Sequence, residues 1–267
     1  MSFMLCLWLA FNAEVEKKQV IAQIEESGGQ VHFQYQENPK APGTFLKTVP
    51  TTPAWLRRLA GKNVLQEPVT LFDSGSKVNL SNLRCMPLLN TVAVYDRNLL
   101  DAEMAAIASL PRLRNLDLDC VPIIDKQLSS LQNTANLWFL QIARNQKLNG
   151  TGLDALLRLK KLTWLMLPGC GITDEGVKSI GKLEQLEYLS LSGTSVTDRG
   201  LEHLGHLKEL SGLDLTDTKV TDRGISHLST LKKLDVLDVT GSRVTRSGVE
   251  ELMRALPQCN IEYREAD

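Results

Sequence analysis

The chain has 267 residues, 43 % of them hydrophobic and 23 % charged, an ordinary globular composition with enough apolar side chains for a sizeable core. Its 30 basic and 31 acidic side chains leave a net charge of -1, so no overall positive field exists to hold nucleic-acid phosphates, and DNA or RNA is not an expected partner. The cysteines Cys6, Cys85, Cys120, Cys170 and Cys259 are scattered, without the close pairing of a zinc or redox site. They read as reduced, mostly packed thiols, which fits a cytoplasmic protein.

Along the chain, Ser2 to Phe11 is an apolar run with no basic residue before it. It is too short for a bilayer span of ~20 residues and lacks a signal peptide's basic leader. It reads either as a packing segment or as the tail of a membrane anchor that begins upstream of Met1. Glu14 to Ser27 is charged, free of glycine and proline, and stops at Gly28-Gly29, the pattern of a short helix. Val31, Phe33 and Tyr35 alternate as a strand. Asn38 to Pro53, with four prolines, reads as a linker, and Trp55, Leu56 and Leu59 mark another short helix. The expected division is a cap over 1–63 and a solenoid over 64–267.

The solenoid is visible as a repeat, and repeats of this length decide a fold. Leu189, Leu213 and Leu237 stand 24 residues apart, and the frame runs back through Leu165, Leu140, Leu116 and Val92, with one step of 25 between Leu140 and Leu165. Seven repeats between roughly 88 and 255 follow. Val69 and Leu71 look like a degenerate opening strand, and Ile261 with Tyr263 like a closing one. The L-x-x-L-x-L stretch gives alternate apolar positions for a short strand, and V-T-D-x-G-L-x-x-L turns the chain into a helix. Thr173, Thr197, Thr221 and Thr245 are expected to cap those helices, with Asp174, Asp198 and Asp222 favouring the positive helix end. Asn145, Cys170, Thr194, Thr218 and Ser242 fill the bend after each strand, where a polar group can bond the backbone of neighbouring turns. Stacked units of this kind share one core.

The pattern L-x-x-L-x-L-x-x-[TCN]-x-[VI]-T-D-x-G-[LVI], clearest over residues 162–252, resembles the ribonuclease-inhibitor-like, cysteine-containing subclass of leucine-rich repeats. It also resembles bacterial proteins with many T-D-x-G-L repeats, often behind an N-terminal membrane anchor. The resemblance implies an α/β horseshoe, a parallel sheet on the concave face and helices on the convex one. It implies receptors, inhibitors or substrate adaptors rather than one function. F-box ubiquitin-ligase receptors belong to the same subclass, but no F-box pattern stands in residues 1–60.

No phosphate-loop, dinucleotide, H-E-x-x-H or G-x-S-x-G motif is present, so no catalytic, cofactor or metal residue is assigned. His203 and His227 share a repeat position but fall on successive helices ~8 to 10 Å apart, too far to share a zinc ion, and read as solvent-facing. The glycosylation-type triplets at Asn79 and Asn149 are given no role. The sharpest signal is on the strands, where residues between the leucines face the concave side. One column runs Thr91, Asn115, Phe139, Trp164, Tyr188, Gly212 and Val236, and the next runs Ala93, Asp117, Gln141, Met166, Ser190, Asp214 and Asp238. Phe139, Trp164 and Tyr188 on successive strands, with Met166 alongside and Trp138 at the margin, form an aromatic cluster of the kind that marks binding surfaces. Asp117, Asp119, Asp214 and Asp238 flank it and favour a partner with basic groups.

The expectation is a monomeric, non-enzymatic module that binds a protein or peptide through Trp138, Phe139, Trp164, Met166, Tyr188, Asp117, Asp214 and Asp238. Two alternatives stay open: a substrate adaptor of a larger enzyme complex, and a hydrolase with its site in the N-terminal segment. The rings could also pack simply as a cross-strand ladder.

Overall fold

A computed structural model describes residues 17–26, 30–33, 36–37, 45–46, 68–74 and 79–264. The apolar run Ser2 to Phe11 and the helix expected around Trp55 lie outside them. Helix α1 (17–26) places Lys17, Val20, Ile21 and Ile24 on one buried face, the spacing of an amphipathic helix. Strand β1 (Gln30–Phe33) follows, then a two-stranded antiparallel pair, β2 (Gln36–Glu37) with β3 (Phe45–Leu46).

The principal sheet begins with β4 (Pro68–Ser74), which pairs antiparallel with β1 on one side and parallel with β5 (Thr91–Tyr95) on the other. From there β6 (Asn115–Asp119), β7 (Phe139–Ala143), β8 (Trp164–Met166), β9 (Tyr188–Ser190), β10 (Gly212–Asp214), β11 (Val236–Asp238) and β12 (Asn260–Glu262) add in chain order, all parallel. Leu71, Val92, Leu116, Leu140, Leu165, Leu189, Leu213, Leu237 and Ile261 fall in register across the nine parallel strands. This is an α/β leucine-rich-repeat solenoid, with the opening and closing strands where the repeat frame puts them. Its leucines form one continuous hydrophobic cluster from Val20 to Tyr263.

The segments returning from strand to strand are less uniform than the repeat suggests. Helices α2 (Asp101–Ala108), α3 (Asp174–Ile180), α4 (Asp198–Leu201), α5 (Asp222–Ser226) and α6 (Arg246–Ala255) are α-helical. Leu80–Cys85, Asp125–Asn133, Leu153–Arg158, Leu204–His206 and His227–Thr230 are 3-10 turns. A 24-residue repeat leaves little chain for the return path, and the tighter helix covers more length per residue.

The T-D-x-G motif also works differently from the expected cap. Thr197 accepts from Arg199 N–H and Thr245 from Gly248 N–H, each at 3.4 Å, while Thr173 and Thr221 make no side-chain cap bond. For Thr197, Thr221 and Thr245 the stronger bonds run between repeats. Asp174 accepts both the N–H and the hydroxyl of Thr197, at 2.8 and 2.7 Å. Asp198 does the same for Thr221 and Asp222 for Thr245. The motif's glycine makes room for that carboxylate: a Cβ on Gly200 would lie 2.8 Å from Asp174 Oδ1, and one on Gly224 or Gly248 would press still closer on Asp198 or Asp222.

The bend column is buried and bonded, in two ways. Asn145 Nδ2 donates to Ile123 O and Cys170 Sγ to Ile142 O, each in the preceding repeat. Thr194, Thr218 and Ser242 instead donate to Leu191, Leu215 and Val239 in their own strands' exits. A short hydroxyl reaches only its own turn, so the ladder across repeats holds for the longer Asn and Cys side chains.

Candidate functional site

Side chains of a strand alternate faces, so with Leu116, Leu140, Leu165 and Leu189 packed inward, their neighbours must stand outward on the concave side. The pairings Phe139↔Trp164, Trp164↔Tyr188 and Tyr188↔Gly212 put three rings on consecutive strands, as the repeat frame requires. Trp164 and Tyr188 stack at 4.7 Å between centroids with 19° between planes. Phe139 is tilted against Trp164 at 6.5 Å, and Trp138 meets both Phe139 and Trp164 edge-on at 6.1 and 6.3 Å. These are the separations at which aromatic pairs attract beyond simple burial. The column then reaches Gly212, whose Cβ, if present, would lie 2.6 Å from Tyr188 Cδ2. Tyr188 therefore lies over the backbone of the next strand, and the glycine is its seat.

The rings do pack as a ladder, yet the ladder leaves apolar surface open. Trp138 remains 40 % exposed and Trp164 36 %, with Phe139, Met166 and Tyr188 half-buried beside them. On β11 Val236 is 44 % exposed and prolongs the patch.

The flanking carboxylates fall into three situations. Asp117 accepts a hydrogen bond from the Tyr95 hydroxyl at 2.8 Å, and burial raises its carboxyl above the usual range while that bond works in the opposite sense. Burial and the nearby Asp117 likewise raise the Tyr95 phenol. Beside them Asn115 donates to Thr91 Oγ1, and its own Oδ1 is buried without a hydrogen-bond partner among the described residues. Asp119 is taken out of the set: Arg144, in a left-handed conformation with φ 54°, binds both its oxygens and holds its carboxyl low. The third group is Asp214 and Asp238. Asp214 accepts from the Ser190 hydroxyl and from Thr216 N–H, and Asp238 from Thr240 N–H. Tyr188 feels them both, its phenol being raised first by burial and then by these two charges.

Sequence reasoning named the rings and these acids and set Asn115 in the concave column without a role, but missed Tyr95 and Glu262. Glu262 pairs in register with Asp238, one repeat beyond it, so the same frame carried forward would have found it. Tyr95 had no such signal, because its role depends on a bond across to the next strand.

Nothing among the described residues prepares a nucleophile or a metal. Burial pushes the Cys170 and Cys259 thiols up to about 11, and Cys120 is raised as well. Cys85, Cys120, Cys170 and Cys259 are all free thiols. No group of three or more His, Cys, Asp or Glu among the described residues could hold a metal ion. His203 and His227 are half-buried rather than solvent-facing, with His227 Nε2 enclosed and without a partner among the described residues. No described helix is long and apolar enough to cross a membrane.

Residues 159–181 match the family model of a leucine-rich repeat. No curated protein matches the chain. Among solved structures, the chain is similar to internalin C2 of Listeria monocytogenes, at 21 % identity and a TM-score of 0.54, over 72 % of this chain and 78 % of that one. It is also similar to the functional domain of InlJ from the same organism, which includes a cysteine ladder, at 17 % identity and a TM-score of 0.50, over 73 % of this chain and 39 % of that one. At these identities the likeness is one of fold, and with the in-register parallel sheet and the matched repeat it supports an α/β leucine-rich-repeat solenoid.

Proposed function

We propose that the concave face recognises a protein or peptide, with Trp138, Phe139, Trp164, Met166 and Tyr188 at the centre of the contact and Asp117, Asp214 and Asp238 at its rim. One observation carries this reading: two tryptophans stay more than a third exposed on an open sheet face although neighbouring rings fix their positions. An aromatic surface already held by its neighbours loses little side-chain freedom on binding, and tryptophan and tyrosine dominate interface energetics. Leucine-rich-repeat folds serve generally as interaction modules, and no activated group at this site argues for turnover.

The N-terminal residues fit a cap. β1 covers the edge of β4, and α1 adds Val20, Ile21 and Ile24 to the common core, as a terminal unit must do to shield an open repeat. The 24-residue period with Asn, Cys or Thr at the bend fits the ribonuclease-inhibitor-like subclass and the bacterial T-D-x-G-L proteins.

The test is affinity capture from the native cell with the wild type beside a Trp164→Ser/Tyr188→Ser variant of verified fold. Loss of one such ring from an interface centre costs ~2 kcal/mol, about thirtyfold in affinity. A partner held by the wild type should disappear from the variant. Equal capture by both proteins would remove the rings from any binding role and turn attention to the convex helices.

A further inference from the structure

The order of side chains across the concave face is acid, aromatic, acid. On the N-terminal side stands Asp117 on β6, and on the C-terminal side Asp214, Asp238 and Glu262 occupy the same position of β10, β11 and β12. Like charges facing each other on neighbouring strands, ~4.8 Å apart, destabilise a sheet unless something offsets them. The hydroxyl and N–H groups bonded to Asp214 and Asp238 only partly do so, since they carry no full charge. The lysines and arginines paired among the described residues are committed to other carboxylates: Asp73, Glu103, Asp119, Asp154, Glu175, Glu209 and Glu250. The two columns of outward-facing residues from β5 to β12 contain these four acids and no lysine or arginine.

Between the two acidic positions lie the rings. Four strand spacings separate β6 from β10, about 19 Å, a distance that an extended chain rising ~3.3 Å per residue crosses in about six residues. A cation arriving at either end would meet a carboxylate near an aromatic ring: Asp117, bonded by Tyr95, or Asp214 and Asp238 near Tyr188. An apolar middle would rest on Trp164 and Met166.

Taking the concave-face reading as its basis, we infer that the occupant is an extended protein segment of about six or seven residues, apolar at its centre and basic at both ends, lying across the strands. The basic ends bring charge to carboxylates that no salt bridge among the described residues neutralises, and the centre covers the exposed tryptophans. Arginine suits the ends better than lysine, because its planar group can bond a carboxylate through two N–H donors and stack on a ring.

The experiment uses the full chain and an array of synthetic seven-residue peptides with varied apolar centres, whose ends are both Arg, both Gln or both Glu. Each is measured against the wild type, an Asp214→Asn/Asp238→Asn variant and the Trp164→Ser/Tyr188→Ser variant. Asparagine keeps an acceptor for Thr216 and Thr240 N–H, so the fold is preserved, and thermal melts verify it. Arg-ended peptides should bind the wild type, weaken with added salt, lose about tenfold on the asparagine variant, and be lost on the serine variant. Gln- or Glu-ended peptides binding as well as Arg-ended ones would overturn the charge assignment and leave the aromatic site standing, provided the serine variant still abolishes them. Binding that survives the serine variant would overturn the concave site itself. If no peptide binds the wild type, the linear segment is wrong, and capture of a folded partner remains the measure of the site.

Discussion

The two halves of the solenoid hold the same 24-residue period with different polar devices. From Asp174 to Thr245 each repeat grips the next by a carboxylate bonded to a threonine's N–H and hydroxyl, at the half-exposed start of the helices. In the first repeats the threonine positions hold Leu100 and Ile124, both exposed. The carboxylates there find other donors, Asp101 the Gln127 side chain and Asp125 the N–H groups of Asn149, Gly150 and Gly152. A second tie lies inside: Arg97, in the bend column, reaches Asp73 on β4 at 2.5 Å and Glu103 on α2 at 2.7 Å, and both carboxylates are buried. Glu103 also accepts the N–H groups of Leu80 and Leu100. A repeat protein needs each unit tied to its neighbour, and a surface ladder or a buried ion cluster can do it. They differ in how they fail. A ladder loses one rung, whereas a buried cluster that loses a partner leaves a charge without compensation.

That difference sets the scale of the expected effects. Arg97→Met should be the most damaging change, costing ~3 to 5 kcal/mol because Asp73 and Glu103 stay buried without their cation. Urea unfolding followed by circular dichroism measures it, and a loss as small as that of a ladder rung would erase the contrast between the halves. Gly224→Ala comes next. Its methyl group presses on the Asp198 carboxylate that holds Thr221, at ~1 to 3 kcal/mol, the usual cost of overpacking. A calorimetric melt no different from the wild type would show that the rung bends without breaking. Smallest is a change in the other direction. Ile124→Thr offers a hydroxyl to Asp101, whose Oδ1 now accepts from the Gln127 side chain while the Ile124 N–H goes to Gln127 Oε1, and gives up little burial because Ile124 is 45 % exposed. A gain of ~0.5 kcal/mol is expected, read as a small rise in Tm, and a fall in Tm would show that the ladder depends on the whole T-D-x-G unit.

The sheet was readable from the sequence because its code is strict. A slip of one residue would turn Leu189, Leu213 and Leu237 outward, so period and register follow from the leucines alone, and the concave columns come with them. That placed Phe139, Trp164 and Tyr188 side by side without further knowledge. What did not show was the partner of each polar group. A threonine before an aspartate looks like a cap for its own helix, and only the stacked geometry shows its hydroxyl turned to the carboxylate of the previous repeat. Asp119 looked like a rim charge until Arg144 was seen to hold it. Gly212 looked like a gap in the aromatic column, and it is the floor beneath the Tyr188 ring.

The surface rungs break between the repeats of β7 and β8. In the repeat of β7 the aspartate position is Gly150, and Thr173 is met only by the Asn149 carbonyl, at 3.4 Å. The core, the β7–β8 pairing and the bonds of Cys170 to Ile142 and Gln146 to Gly169 still cross this seam. Its surface coupling is thinner, so it is where the stack is expected to part into two blocks, which hydrogen exchange would register as two sets of amides with separate opening energies. The seam runs between β7 and β8, and Phe139 lies on one side with Trp164 on the other. A ligand spanning those rings would clamp both blocks together, so occupancy should appear as merged exchange behaviour on amides far from the concave face.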